Sequence, residues 1–451
     1  MTATAVRRGE CLVRRLAAIA AMAVLLAGCG GDVQPSAGAG KAVETATRAT
    51  AAAERDVCAV PVAIVVDAVQ GYVGSFGTEQ LAEGQTATSP VGSADKPGSE
   101  KAASSDEPPA DVLSDAVAEA QRVAAKVRCA DADLAAGIAE GLETVSADGA
   151  VATAVRDRTI ATMTGAAAPD LPLTPDDDLS LAVAATESGG VIELGAGTWD
   201  LTEPVVLLGG VTLRGAGPER TVLRSSAPEA TILVATADRV ELRSLALERD
   251  RAAVGSVVVG GPSASLVVED AVLSGAVGDE SSGGAGIHMS AQGEQGSGRG
   301  TTLEITDSVL RDNGWAGIAV TGGHRASVLG ATFEANGQCG ICFLGAATGS
   351  VEDSTFDGNT VGFYAGDTAS PVLTGSTITG GEAGIQVGGT AVAALESTTI
   401  RGSGRAAVIY TGQGGGSVTG LVCEQVEHGI AVGPESTPIP GENACTIAFA
   451  D

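Results

Sequence analysis

Apolar and polar positions in the second half of this chain repeat together. A glycine followed by a large apolar residue recurs at Gly317-Ile318, Gly340-Ile341, Gly362-Phe363, Gly384-Ile385 and Gly429-Ile430. Ala407-Val408 fills the one gap, so the step keeps a nearly constant spacing. Each later step follows an apolar, small, large series: Val328/Ala331/Phe333, Val351/Ser354/Phe356, Leu373/Ser376/Ile378, Leu395/Thr398/Ile400 and Val418/Leu421/Cys423. Within the steps, Ile318/Val320, Ile341/Phe343, Ile385/Val387 and Ile430/Val432 alternate with the period of a strand. Units this short cannot bury an apolar face alone, so they must stack. They are too short for helix pairs and rich in Val, Ile, Thr and Gly. The pattern predicts an all-β solenoid of parallel strands with about 22–23 residues per coil.

Stacking turns sequence positions into columns. Asn313, Asn336 and Asn359 recur once per coil at one turn, and the series lapses at Gly381 and Ser403. Asn side chains stacked this way hydrogen-bond from coil to coil, so the column is structural. Asp270, Asp307 and Asp353 share another turn with Gly330, Gly375 and Gly420. That mixture of Asp and Gly marks a backbone demand, not a ligand set.

The start of the repeat carries its own signals. Asp178 can cap a short helix over 179–186 with Leu181, Ala182 and Ala185 on one face. Ser188-Gly189-Gly190 then leads to Val191-Ile192-Glu193-Leu194, Gly195-Ala196-Gly197-Thr198-Trp199 and Val211-Thr212-Leu213-Arg214-Gly215-Ala216-Gly217. This opening resembles that of right-handed parallel β-helix proteins of the pectin-lyase-like superfamily, and the resemblance covers residues 176–451. It implies a right-handed, single-stranded parallel β-helix whose first coil is covered by the amphipathic helix. It implies little about function, because that fold carries lyases, hydrolases, epimerases, adhesins and inert surface proteins.

The N-terminal half is organised differently. Arg7, Arg8, Arg14 and Arg15 precede a short apolar stretch, 16–27, which ends at Leu26-Ala27-Gly28-Cys29. This order resembles a bacterial lipoprotein signal peptide. The resemblance implies cleavage after residue 28 and lipid on Cys29, holding the protein at a membrane of the bacterial envelope, outside the cytoplasm. Residues 29–50 read as a tether. Residues 51–165 read as a small helical domain interrupted by a linker at 84–110. In it Val112, Ala116, Val117, Ala120, Val123, Ala124 and Val127 form an apolar stripe. A second linker, 166–175, joins the solenoid, 176–451.

Cysteine usage agrees with export. Of eight Cys, the lipoprotein resemblance implies that Cys11 leaves with the leader and that Cys29 takes lipid. The remaining even number suggests three disulfides. Cys423 and Cys445 lie one coil apart, within bridging reach. Cys58 and Cys129 stand alone near the N-terminus, which leaves Cys339 with Cys342. The Cys339-Gly-Ile-Cys342 motif invites a redox reading, but its place in a solenoid strand favours a structural bridge.

A net charge of −29 argues against nucleic acid and anionic headgroups as partners. It leaves room for calcium, although no carboxylate cluster demands a metal. The candidate chemistry falls in two outward columns. One runs His288, Ala319, Cys342, Tyr364, Gln386, Ile409 and Ala431. His288 is a potential acid or base. Trp315, Tyr364 and Gln386 are candidate sugar contacts. The other runs Arg311, Glu334, Asp357, Thr379, Arg401 and Glu424. It offers an Arg311–Glu334 ion pair and a Glu334/Asp357 carboxylate pair suited to glycoside hydrolysis or calcium, or else a plain surface ladder. His324 and His428 read as bland.

The coil around Gly286-Ile287 carries insertions at 275–284 and 290–300, and such insertions often build binding sites. The catalytic motifs of polygalacturonases and alginate epimerases are absent. The expected function is therefore a lipid-anchored surface protein, monomeric, that binds polysaccharide or another envelope component. The rivals are a polysaccharide lyase or hydrolase of the same fold, and a passive spacer. An aromatic content of 2% weighs against sugar stacking.

Overall fold

The computed structural model describes residues 57–70, 109–143, 150–164, 172–278, 283–290 and 301–449. The expected signal sequence with Cys29, the expected tether, most of the expected linkers 84–110 and 166–175, and parts of both insertions, 279–282 and 291–300, lie outside the described residues. The described residues from Cys58 onward belong to one compact unit.

Among the described residues five helices precede the strands: α1 (57–70), α2 (Pro109–Val127), α3 (Asp131–Glu143), α4 (Ala150–Thr164) and α5 (Leu179–Ala185). Pro at the first position of α2 suits a helix start, where its missing N–H is not needed. Ala120 and Ala124 of the predicted stripe are buried, whereas Val127 at the helix end is 36% exposed. The Cys58–Cys129 disulfide ties α1 to the turn after α2. Gly137 and Gly141 let α3 come close to α1, since a Cβ at either would lie 2.7 Å from Val62 or Val66. The apolar core of these helices includes Val206, Ala230 and Leu233 of the first coils. The helices thus cover one flank of the solenoid.

Each coil contributes strands to three ribbons. The first ribbon begins at Val191–Glu193, the second at Gly197–Leu201 and the third at Val205–Leu207. The strands pair in parallel from coil to coil. The third ribbon is an 11-stranded sheet that ends at Ile447–Phe449. The first two merge into a 19-stranded sheet, because the strands Arg239–Arg249 and Ser265–Ser274 run through the bend between them.

The predicted ladders are the core. Ile318, Ile341, Phe363, Ile385, Val408 and Ile430 align in the third ribbon, and all are buried. Leu310, Phe333, Phe356, Ile378 and Ile400 do the same in the second. Phe333 and Phe356 stack with ring centroids 4.6 Å apart. The Cys339–Cys342 and Cys423–Cys445 disulfides also form, the latter joining neighbouring coils near the C-terminus.

Tyr410 interrupts this economy. It lies in the inward ladder between Val387 and Val432, and its buried hydroxyl has no hydrogen-bond partner. Burial pushes the phenol pKa up. Tyr410→Phe keeps the ring and removes an unsatisfied donor, so we expect stability to rise by about 1 kcal/mol. A shifted urea midpoint at unchanged slope would show this. A lower midpoint would mean that the hydroxyl is satisfied.

Three corners explain the polar columns. At the first, Ser244, Asp270, Asp307, Gly330, Asp353, Gly375, Ser397 and Gly420 all have positive φ, between 46° and 69°. This is the demand that the Asp/Gly mixture signalled, since Gly and Asp tolerate the left-handed region. The hydroxyls of Ser308, Ser354, Ser376 and Thr398 each donate to the carbonyl two residues earlier. Ser308, Ser354 and Ser376 also accept an N–H from the preceding coil. Sequence reading saw only small residues here. The second corner carries the Asn ladder, with Nδ2 of Asn313 and Asn336 donating to the next Oδ1 at 3.0 and 2.9 Å. Where it lapses, Gly380 and Gly381 both take φ +76°, and Ser403 bonds the Gly380 carbonyl. The third corner is lined by Ala264, Ala347, Ala369 and Ala391, all buried.

The ends are closed in two ways. Asp178 caps α5 by accepting the Leu181 N–H, as expected. The buried face is Leu179, Ala182 and Val183, however, and Leu181 is 57% exposed. The helix is two turns long, so only one i, i+3, i+4 set can face the coil, and that set starts at Leu179. At the other end the strand Thr437–Pro440 carries Pro438 and Pro440. Neither has an N–H to offer, which blunts that edge against further pairing.

Candidate functional site

The outward column of the third ribbon stands in the register the repeat predicts. His288 pairs with Ala319, then Cys342, Tyr364, Gln386, Ile409 and Ala431 follow coil by coil. The column continues backward through Val259 to Leu233 and Val206, where the helices lie. Beside it runs a second outward column, Ala316, Cys339, Val361, Ala383 and Ala406. Small side chains make this face shallow.

One patch on it carries aromatic surface. Ala285, Ala316, Ala319, Cys339 and Cys342 form an outer apolar cluster, with Trp315 and Tyr364 packed partly buried against it. The disulfide forms the floor between the two rings. Trp315 meets the His288 ring edge-on at 5.6 Å, and its indole N–H donates to Gln338 Oε1 at 3.0 Å. Gly283 leaves room for the indole, since a Cβ there would lie 2.1 Å from the ring. Tyr364 lies over Gly366, and burial followed by Asp367 raises its phenol pKa. Gln386 is the next outward residue after Tyr364.

His288 is partly buried, and its pKa is lowered to about 4, first by burial and then by His324. The ring is therefore neutral near pH 7. It can accept a hydrogen bond, but it is a weak base and no source of a proton.

His324 is 1% exposed, and its ring nitrogens make no well-formed hydrogen bond, the Ser290 main chain being near enough to act on the ring but outside good geometry. Burial lowers its pKa, and the main chain of Ser290 offsets part of that effect. Its column explains why it stands out. The third-corner alanines give way, at two successive coils, to Thr301 and His324. Thr301 is also buried with its hydroxyl unpartnered. The signal in the sequence was a histidine in an alanine column, visible only once the third corner is aligned. His428 is exposed, beside Glu427 at 3.9 Å.

The second proposed set lies elsewhere. Arg311, Glu334, Asp357, Thr379, Arg401 and Glu424 align as predicted, but on the second ribbon. His288 belongs to the third ribbon. The structure does not bring the four together around one groove. Among the described residues Arg311 and Glu334 form no ion pair, while Arg401 and Glu424 meet at 2.7 Å. Holding two long exposed side chains in contact gains little in water, so a register neighbour need not become a pair. Among the described residues no group of three or more His, Cys, Asp or Glu is placed to hold a metal. No described helix is long and apolar enough to cross a membrane.

Comparison with known proteins bears on the fold. No curated protein is significantly similar in sequence. The A-module of mannuronan C-5 epimerase AlgE4 from Azotobacter vinelandii superimposes with a TM-score of 0.38 and 16% identity, covering 56% of this chain and 91% of its own. Tailspike protein 2 of Escherichia coli O157:H7 bacteriophage CAB120 gives 0.42 and 9%, covering 59% and 42%. A mannuronic acid specific polysaccharide family 6 lyase from human gut microbiota gives 0.33 and 12%, covering 58% and 66%. Residues 269–438 match the family model "Right handed beta helix region", so the stacked coils described above are those of a right-handed parallel β-helix.

Proposed function

We propose that this chain is a non-catalytic, glycan-binding protein of the bacterial envelope, held at a membrane by lipid on Cys29 and acting as a monomer. The supporting observation is the outer patch of the third ribbon. There Trp315 and Tyr364 flank the Cys339–Cys342 disulfide, and Gln338 and Gln386 border it. Partly buried rings on a shallow floor suit a sugar face, and neighbouring amides suit its hydroxyls. A lyase or hydrolase needs acid and base within reach of one bond. His288 stands on a different ribbon from Arg311, Glu334 and Asp357 and cannot serve them, which leaves the register neighbours Glu334 and Asp357 as the pair the enzyme reading would need.

The test is retention of the soluble chain, residues 30–451, in affinity gels of uronic-acid and neutral polysaccharides, with turnover followed in parallel, with and without calcium. One polymer should retard the chain without being cleaved. Trp315→Ala should weaken that retardation roughly tenfold, about the worth of one stacked ring. Turnover lost on changing Glu334 or Asp357 would make it an enzyme instead. Neither retention nor turnover would leave the spacer reading.

A further inference from the structure

A cavity of about 760 Å³ lies at the start of the solenoid, between α4, α5 and the first coil. One wall is the strand Gly197–Leu201 and the residues that follow it to Pro204. This strand pairs with Thr221–Ser225, and no strand pairs its other side among the described residues. The Gly197 N–H and the Leu201 carbonyl bond toward the next coil. Alternation along a strand turns the main-chain groups of Asp200 the opposite way, toward the open side. Pro175 packs on Gly197 and closes that end of the edge.

The cavity is acidic, and its acids divide into two groups. Asp177 accepts the Thr174 N–H and hydroxyl, Asp178 caps α5, and Asp157 pairs with Arg156, so these three are occupied by their own neighbours. Asp200, Glu203 and Glu229 are exposed and make no ion pair among the described residues. Arg158, the one cation of the lining, is withdrawn against Gly209 into the field of Asp238. Val206 and Leu208 give the cavity an apolar side. Trp199, also in the lining, has a buried indole N–H without a partner.

We propose that this cavity docks an extended basic peptide, which adds as a strand to the free edge of Gly197–Leu201 with its Lys or Arg side chains toward Asp200, Glu203 and Glu229. An exposed strand edge recognises backbone, and alternate side chains supply the choice of partner. Here that choice is set by three free carboxylates and a negative local field. The site is separate from the glycan patch and does not depend on it.

Fluorescence anisotropy of the full chain with labelled octapeptides tests this. An alternating Lys-Val peptide should bind at physiological salt, and an alternating Glu-Val peptide should not. An alternating Lys-Pro peptide has the same charge but lacks half of the N–H groups, so it should bind at least tenfold more weakly. The triple variant Asp200→Asn/Glu203→Gln/Glu229→Gln changes only exposed side chains and should weaken the Lys-Val peptide at least tenfold. Glu334→Gln/Asp357→Asn should leave binding unchanged. Equal binding of the Lys-Pro peptide, or equal losses in both variants, would reduce the effect to attraction by an acidic chain and overturn the proposal. So would no binding at all.

Discussion

Replacing Asn336 with Ala should destabilise the central coils by about 4 kcal/mol. Asn336 is 1% exposed, and its side chain serves three neighbours. Oδ1 accepts the main-chain N–H of Asn313 and its Nδ2. Nδ2 donates to the Leu310 carbonyl at 3.0 Å and to Asn359 Oδ1 at 2.9 Å. Alanine removes all four bonds and leaves at least two buried main-chain groups unsatisfied, each costing about 1–3 kcal/mol. Asn443→Ala, at a partly buried turn near the last coil, should cost less, since water can reach the freed groups. Solenoids open locally, so the loss should appear as faster amide exchange over 305–343, together with a lower denaturation midpoint. A loss below about 1 kcal/mol would show that neighbouring polar groups or water take over the ladder.

The Asn column was legible in the sequence because its period equals the coil and its residue type names its job. The inward ladders were legible for the same reason: a fixed period with a fixed chemistry. The left-handed first corner was legible as well, since Asp and Gly share only tolerance of positive φ. Three features were hidden. The hydroxyl column looked like small residues, because Ser and Thr fill the same space whether or not they bond. The buried face of α5 was misplaced, because a two-turn helix offers too few positions to fix its rotation. The helices of residues 57–70, 109–143 and 150–164 gave no hint that they share a core with Val206, Ala230 and Leu233, since an Ala/Val stripe fits another helix as well as a sheet.

The candidate site was half legible. Column membership followed from spacing, and the register bears out every neighbour of His288, Tyr364 and Gln386. Which ribbon a column belongs to did not follow, because spacing fixes neighbours along the axis but not the angle around it. His288 and Glu334 therefore looked like partners in sequence and stand on different ribbons in the fold. His324 was missed for a related reason. A Gly-Gly-His-Arg run looks like a solvated turn, and only the column it shares with Ala264, Ala347, Ala369 and Ala391 shows that its third residue is buried.

Acid should loosen the two neighbouring coils that hold these histidines before it affects the rest. His288 has its folded pKa lowered from 6.5 to about 4, first by burial and then by His324. His324 is lowered in the same direction by burial. A histidine that is neutral when folded and free to protonate when unfolded has no effect above the unfolded value. As pH falls below about 6.5 the unfolded state takes up a proton that the folded state refuses, and stability drops until the folded group also titrates. For His288 the loss accumulates between pH 6.5 and about 4 and levels off below. Its upper bound is about 3 kcal/mol, at about 1.36 kcal/mol per pH unit. His324 adds to it with the same sign. Carboxylates held by partners, such as Asp177 and Glu241, also lose stability in acid, but they begin to titrate lower. The histidines thus own the window from pH 6.5 down to about 4.5. Amide exchange of Ile287–Met289 and Ala316–Val320, corrected for intrinsic rates, should quicken across that window while Ala383–Val387 stays protected. The double variant His288→Val/His324→Ala restores the apolar character of the two columns and should flatten the response. An unchanged slope in that variant would assign the acid sensitivity to carboxylates and rule the histidines out.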